Sequence, residues 1–245
     1  MTALCSFALD SKRRITVKNS HDIVKNCVVR VFYYDISIVI LSDKVYNVIK
    51  IIGGENMVHN SITANEALER LRIGNAFYSE SSRNTGDISE TVRTDTLKNG
   101  QRPYAVIVSC SDSRVIPEVV FNAGIGDLFV IRVAGNVIDD HQLGSIEYAV
   151  SHLGIKLVVV LGHNHCGAVD AAVNHDPDGF VKFITDEIRR AIGEEKDEYK
   201  ACCLNVARSV SVIEESFEIQ KEEEHGLRVI GAIYRLEDGM VSFNV

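Results

Sequence analysis

The chain has 245 residues, 24% charged and 46% hydrophobic, with a formal net charge of −8. That length can bury a substantial core, and the ordinary composition excludes disorder throughout; a net acidic chain with scattered basic residues also argues against nucleic acid as a partner. The longest apolar stretch, Ile36 to Leu41, is far short of the ~20 residues that span a bilayer, so no membrane association is expected.

Residues 1 to 56 read apart from the rest. Cys27 to Tyr34 and Ile36 to Leu41 have strand composition and suit a hairpin, without the turn chemistry that would define it. Lys12, Arg13 and Arg14 make a poor transit peptide, because acidic residues flank them. The expectation is an extension of uncertain status, with Met57 as the natural start.

From Ser61 the texture changes. Thr63 followed by Glu66 looks like a capping box that opens a helix running to about Gly74, and residues 79 to 100, polar throughout, read as an extended wrapping segment. Strand and helix then alternate: strands at Tyr104 to Ser109, Leu128 to Val133 and Leu157 to Leu161, with helices at Pro117 to Ala123 and Gly144 to Leu153. Amphipathic helices follow at Phe180 to Ile192 and Ala201 to Ser216, and Leu227 to Tyr234 with Met240 to Phe243 makes a closing hairpin. The fold class expected is α/β, a mostly parallel central sheet flanked by helices, with an N-terminal helical arm (57–100) and a C-terminal hairpin. Residues 101–245 form its α/β domain.

Two strand ends carry the chemistry. The run Val106 to Ser109 stops at Cys110-Ser111-Asp112-Ser113-Arg114, and Leu157 to Gly162 delivers His163-Asn164-His165-Cys166. Open α/β sheets place active groups at such carboxyl edges. Cys110, His163 and Cys166 are a ligand set that suits zinc, with the fourth position undecided, because two thiolates and a neutral imidazole cancel the ion's charge. His163 and Cys166 stand at i, i+3, and the separation 163 − 110 = 53 residues suits a neighbouring strand. The bland alternative makes both cysteines small buried hydrophobes, and His165 is the less well-placed alternative ligand. Asp112 and Arg114 can pair bidentately, as a loop salt bridge or as a carboxylate aimed at the metal's fourth position. Cys5, Cys27, Cys202 and Cys203 show no framework spacing, so a reducing, cytoplasmic compartment is expected; Cys202 and Cys203 read as two buried helix positions. A nucleotide-binding reading fails because no Gly-x-Gly-x-x-Gly follows a strand.

Cys110 to Arg114, Gly126 to Asn136, Gly144 to Ala149 and Gly162 to Ala168 together resemble the β-class carbonic anhydrases over roughly residues 61 to 245. The resemblance implies a lyase that hydrates carbon dioxide reversibly to bicarbonate and a proton, with one Zn2+ per subunit and attack by a zinc-bound hydroxide. It implies Cys110, His163 and Cys166 as constant zinc ligands, Asp112 and Arg114 as the catalytic dyad, and Gln101 as a substrate hydrogen-bond donor. Phe129 and Tyr148 match positions lining the apolar substrate pocket, to which Val133 is a further candidate. It further implies a homodimer or higher even oligomer with the pocket at the subunit interface. Asp112 could swing onto zinc as a fourth ligand and close the site. A chain without tryptophan lacks the residue of the bicarbonate-regulated members. His165 is a candidate proton relay. Hydrolysis of carbon disulfide or carbonyl sulfide on the same ligands, and a non-catalytic zinc-binding regulator, are the competing readings.

Overall fold

A computed structural model describes residues 62–245 and, upstream, the backbone of three short strands. These strands, β1 (Val31–Tyr33), β2 (Ile36–Leu41) and β3 (Lys44–Tyr46), form an antiparallel sheet in sequence order. The hairpin expected from composition is thus present in β1 and β2, and β3 extends it. Cys27 to Arg30, the basic cluster at 12–14 and the Met57 start lie outside the described residues.

The larger unit, from His59 onward, is built on a five-stranded sheet. Its strands are β4 (Ala105–Ser109), β5 (Leu128–Arg132), β6 (Leu157–His163), β7 (Arg228–Tyr234) and β8 (Val241–Phe243), in the order β5-β4-β6-β7-β8. The first four are parallel, and β8 returns antiparallel to β7. Strands β4 and β6 are buried along their whole length, which is why they read as unbroken β-branched runs instead of alternating ones.

Alternation reappears in what each side chain touches. Val106, Val108, Val158 and Val160 join a core built with helices α4 (Asp140–Leu153), α5 (Gly167–Asn174), α6 (Val181–Ile192) and α7 (Glu198–Glu214). Ala105, Ile107, Leu157, Val159 and Leu161 face the other way, onto α1 (Ala64–Ser81) and α3 (Pro117–Val120). The sheet therefore carries two cores, one per face, as a period-2 pleat requires.

Several helix boundaries differ from expectation, among them the end of α3 at Val120 instead of Ala123 and the start of α7 at Glu198 instead of Ala201. Helix α1 has the capping box at Thr63 and Glu66 but runs through Gly74 to Ser81. Gly74 stops nothing: it sits where α1 crosses α3, and a Cβ there would lie 1.9 Å from the Phe121 carbonyl oxygen, so the residue serves close packing. The segment read as extended contains α2 (Glu90–Asn99), capped by Ser89 and without a buried residue. A helix with no apolar face leaves no periodic signal to read. Helix α4 starts at Asp140, four residues early, behind a capping box of Asp139 and Gln142. After α7 a separate short helix, α8 (Phe217–Glu223), is capped by Ser216.

Candidate metal centre

Chain order reverses its direction across the sheet at β4. From β4 the chain goes outward to β5, then returns to lay β6 on the other side of β4, with Ser109 level with Leu161. Crevices at such a switch point, outside the carboxyl ends of the strands, are where open α/β sheets bind ligands. Cys110 leaves β4 there, and His163 is the last residue of β6. Cys166 is the N-cap of α5.

One ligand atom each from Cys110, His163 and Cys166 lies within 4.8 Å of the other two, and all three residues are buried. The Nδ1 of His163 donates to the Asn164 carbonyl at 2.8 Å, which fixes the tautomer and leaves Nε2 with its lone pair. Nε2 is buried and has no hydrogen-bond partner. An orphaned buried nitrogen is costly unless a ligand completes it, and two sulfurs beside it make a donor set that fits a divalent metal ion such as zinc.

The electrostatics of the two sulfurs differ. Cys110 ionises first: its hydrogen bond with Cys166, then those with the Gly135 and Asp112 amides, hold the thiol down to about 4 against burial. Those two amides donate to Cys110 Sγ at 3.2 and 3.4 Å. Cys166 is pushed upward by its hydrogen bond with Cys110, by burial and by the Cys110 charge. A divalent cation entering the site displaces the remaining proton, the usual coupling of metal binding to proton release.

Asp112 and Arg114 form the bidentate pair, with Nε to Oδ1 at 3.0 Å and Nη2 to Oδ2 at 2.7 Å. The Arg114 hydrogen bonds, opposed by burial and aided by the nearby Arg114 charge, lower the Asp112 carboxyl to about 2. Asp112 Oδ2 stands 3.9 Å from His163 Nε2. The three-residue ligand group does not include Asp112, whose carboxylate is engaged by Arg114. Arg114 Nη2 also donates to the His165 carbonyl at 3.0 Å, tying the two ligand-bearing loops together.

Other expected residues are distributed more widely. Phe129 on β5 and Tyr148 on α4 meet with ring centroids 6.3 Å apart; Tyr148 is 45% exposed, whereas Phe129 and Val133 are half-buried and pack against the same core. Gln101 is exposed in the loop before β4. It lies ahead of the strand's amino end, whereas Cys110 follows its carboxyl end, and the strand between them is roughly 17 Å of extended backbone. His165 is at the rim, its ring between Glu198 at 3.2 Å and Glu237 at 3.0 Å. Cys202 is buried on α7 as expected, whereas Cys203 is only half-buried, and both are free thiols, as are Cys110 and Cys166.

Several supporting residues escaped the sequence reading. Arg132 donates to the carbonyls of Cys110 and Asp112 at 3.2 and 2.7 Å, bracing the loop from β5. Asn205 and Ser209 on α7 bond the carbonyls of Gly135 and Asn136 at 2.7 and 2.9 Å, holding the turn that presents the Gly135 amide to sulfur. Two polar residues at i, i+4 on the apolar face of a helix were the available signal, since buried polar side chains need partners.

A family model described as carbonic anhydrase matches residues 105–241. A relative named carbonic anhydrase 2 from Mycobacterium tuberculosis is 39% identical over 155 residues, covering 58% of this chain and 75% of the relative. A carbonic anhydrase from Mycolicibacterium smegmatis is 39% identical over 161 residues, covering 61% and 78%. Among solved structures, a β-carbonic anhydrase of Aspergillus fumigatus superposes with a TM-score of 0.58 at 27% identity, over 73% of this chain and 89% of that one. A Coccomyxa β-carbonic anhydrase in complex with acetazolamide gives 0.57 at 29% identity, over 63% and 77%. A sheet whose switch point gathers two cysteines and a histidine, in a chain with these relatives, belongs to the β-carbonic anhydrase family of enzymes.

Proposed function

We propose that this protein is a zinc enzyme catalysing the reversible hydration of carbon dioxide to bicarbonate and a proton, with Cys110, His163 and Cys166 holding one Zn2+ per subunit. The observation that carries this reading is the buried, partnerless Nε2 of His163, grouped with two sulfurs and 3.9 Å from an ionised carboxylate. Zinc in such a site supplies a Lewis acid that brings the pKa of a water near 7 and leaves a coordination position open.

The chain's own residues do the rest. Asp112, kept ionised by Arg114, accepts a hydrogen bond from the attacking water oxygen and turns that oxygen's lone pair toward carbon. A carboxylate held at about 2 stays an acceptor across neutral and mildly acidic pH. Carbon dioxide is apolar, and Phe129, Val133 and Tyr148 supply an apolar wall for it. As the new C–O bond forms, negative charge grows on the former carbon dioxide oxygens, where an amide donor stabilises it. Gln101 provides that donor from a partner subunit, because its own strand carries it to the far edge of the sheet. Hydration consumes one carbon dioxide and one water, and the proton leaves to solvent.

The assembly is accordingly a homodimer or a higher even oligomer. A relative of known structure, from Sordaria macrospora, is described as tetrameric and matches with a TM-score of 0.56 at 28% identity, over 63% of this chain and 86% of that one. Free thiols at the centre suit a reducing compartment such as the cytoplasm. Among the described residues no helix is long and apolar enough to cross a membrane.

Stopped-flow hydration of carbon dioxide, with zinc content measured on the same sample, tests the reading. Turnover that disappears with a chelator and returns with zinc is the expected result. Zinc-loaded protein that cleaves carbon disulfide or carbonyl sulfide but leaves carbon dioxide untouched would replace it.

A further inference from the structure

The four-residue passage from β6 to α5 carries two metal ligands, and one exposed carboxylate braces it. Glu237 lies in the turn between β7 and β8. Its two carboxylate oxygens each accept from Asn164 Nδ2 at 2.7 Å, and Oε1 also meets His165 Nε2 at 3.0 Å. Leu236 completes the grip, its amide donating to Asn164 Oδ1 at 3.0 Å.

Both residues so held act on the site through their backbones. The Asn164 carbonyl takes the Nδ1 proton of His163 and so sets which ring nitrogen is offered to a metal. The His165 carbonyl takes a hydrogen bond from Arg114, the partner of Asp112. His165 holds φ at +52°, in the left-handed region that a non-glycine residue occupies at a cost. A conformation of that kind persists where its surroundings hold it, and Glu237 and Glu198 flank the ring from opposite nitrogens.

We propose that Glu237 is a positioning residue for the metal centre, clamping the His163–Cys166 passage through Asn164 and His165 and thereby orienting both the ligand imidazole and the Asp112–Arg114 pair. The inference rests on the reading of Cys110, His163 and Cys166 as a zinc site. It assigns to the C-terminal hairpin a role in catalysis beyond closing the sheet.

The turn itself is held by different bonds, which makes the role separable. Asp238 pairs with Arg235 at 2.6 Å and accepts the Met240 amide at 3.0 Å. Gly239 donates to the Arg235 carbonyl at 3.0 Å. None of these involves the Glu237 side chain, so Glu237→Ala removes the carboxylate from the clamp and keeps the turn, whereas Asp238→Ala loosens the turn and keeps the carboxylate in place.

The test uses the full-length protein in wild-type, Glu237→Ala, Glu237→Gln and Asp238→Ala forms. Zinc affinity is measured by competition with a chromophoric chelator, and ligand geometry by the visible spectrum of the Co2+-substituted protein. Partners that orient metal ligands typically change affinity or activity about 10- to 100-fold when removed. Glu237→Ala is expected to weaken zinc by about that factor, shift the cobalt spectrum and lower kcat with KM near the wild-type value, while the thermal midpoint of the metal-free protein stays put. Glu237→Gln, which keeps an acceptor oxygen for both donors, recovers most of the loss. Asp238→Ala lowers the thermal midpoint and leaves both metal readouts unchanged.

Wild-type zinc affinity and cobalt spectrum in Glu237→Ala, or an equal loss in Asp238→Ala, would overturn the proposal. A wild-type protein that holds zinc without hydrating carbon dioxide refutes the proposed reaction and leaves the zinc and cobalt readouts to decide this inference. A wild-type protein that holds no zinc refutes both.

Discussion

The backbone amide of Gly135 donates to the sulfur of Cys110 over 3.2 Å, and the glycine's φ of +69° aims it there. A Cβ at this position would lie 2.8 Å from Ile188 Cδ1 and 3.1 Å from the Ala168 Cβ. Gly135→Ala therefore meets both backbone strain and a packed wall. Strain in the left-handed region alone costs about 1–2 kcal/mol, so a lower urea midpoint is expected. Zinc affinity falls with it, because the donor to the thiolate is displaced; an unchanged midpoint and affinity would show that the turn adapts freely.

Arg114→Ala removes two side-chain hydrogen bonds from Asp112 and one from the His165 carbonyl. The carboxylate is then free to turn from the attacking oxygen toward the ion. Loss of carbon dioxide hydration by about 100-fold or more is expected, in the range seen when a group that stabilises the transition state is deleted. Zinc content remains, since Arg114 supplies no ligand; near-normal turnover would count against the dyad.

Lys156 and Glu222 pair at 2.9 Å with side chains only 17% and 20% exposed, Lys156 lying at the amino end of β6, opposite the end that carries His163. The Lys156 hydrogen bond lowers the Glu222 carboxyl below its usual range. A carboxyl depressed by folding stabilises the native state above its unfolded pKa of about 4.3, and that contribution fades as pH falls through the lower folded value. Lys156→Met is thus expected to cost about 2 kcal/mol near neutrality. Denaturant midpoints of wild type and variant should converge as pH drops below about 4; a gap that stays constant with pH would mean that packing, not charge, was lost.

Subunit complementation tests the origin of Gln101. Gln101→Ala and Cys110→Ser are each expected to be inactive or nearly so. Mixed after unfolding or by co-expression, they form heterodimers in which one site has both an intact ligand set and an intact partner glutamine. About a quarter of wild-type activity returns if subunits pair at random with twofold symmetry. Failure to recover any activity, with both single variants inactive, would assign Gln101 to the site of its own subunit, and a Gln101→Ala variant that keeps wild-type activity would place it outside the site.

The strand ends were readable because their physics is local. A buried parallel strand announces itself as a β-branched run, and Cys110 and His163 stand where those runs stop. The boundaries that went astray involve information the local chain lacks. Gly74 marks a helix crossing and not a helix end, which depends on Phe121, 47 residues away in sequence. Helix α2 buries nothing, so only its Ser89 cap could have announced it. Glu237, Asn205 and Arg132 bear on the site by bonds spanning tens of residues, and no spacing rule connects them to Cys110.

By itself, then, the sequence determined which groups could ligate a metal and at which edge of a parallel sheet they would stand, because side-chain chemistry and hydrophobic period are properties of neighbouring residues. Tertiary structure alone decided that three ligand atoms fall within 4.8 Å, that Nε2 of His163 is the nitrogen left over, and that the closing hairpin reaches back to hydrogen-bond the neighbouring Asn164. Those outcomes depend on how β4 and β6 pair and where the chain reverses across the sheet. Distance between side chains follows from strand order, and strand order is settled only when both cores close.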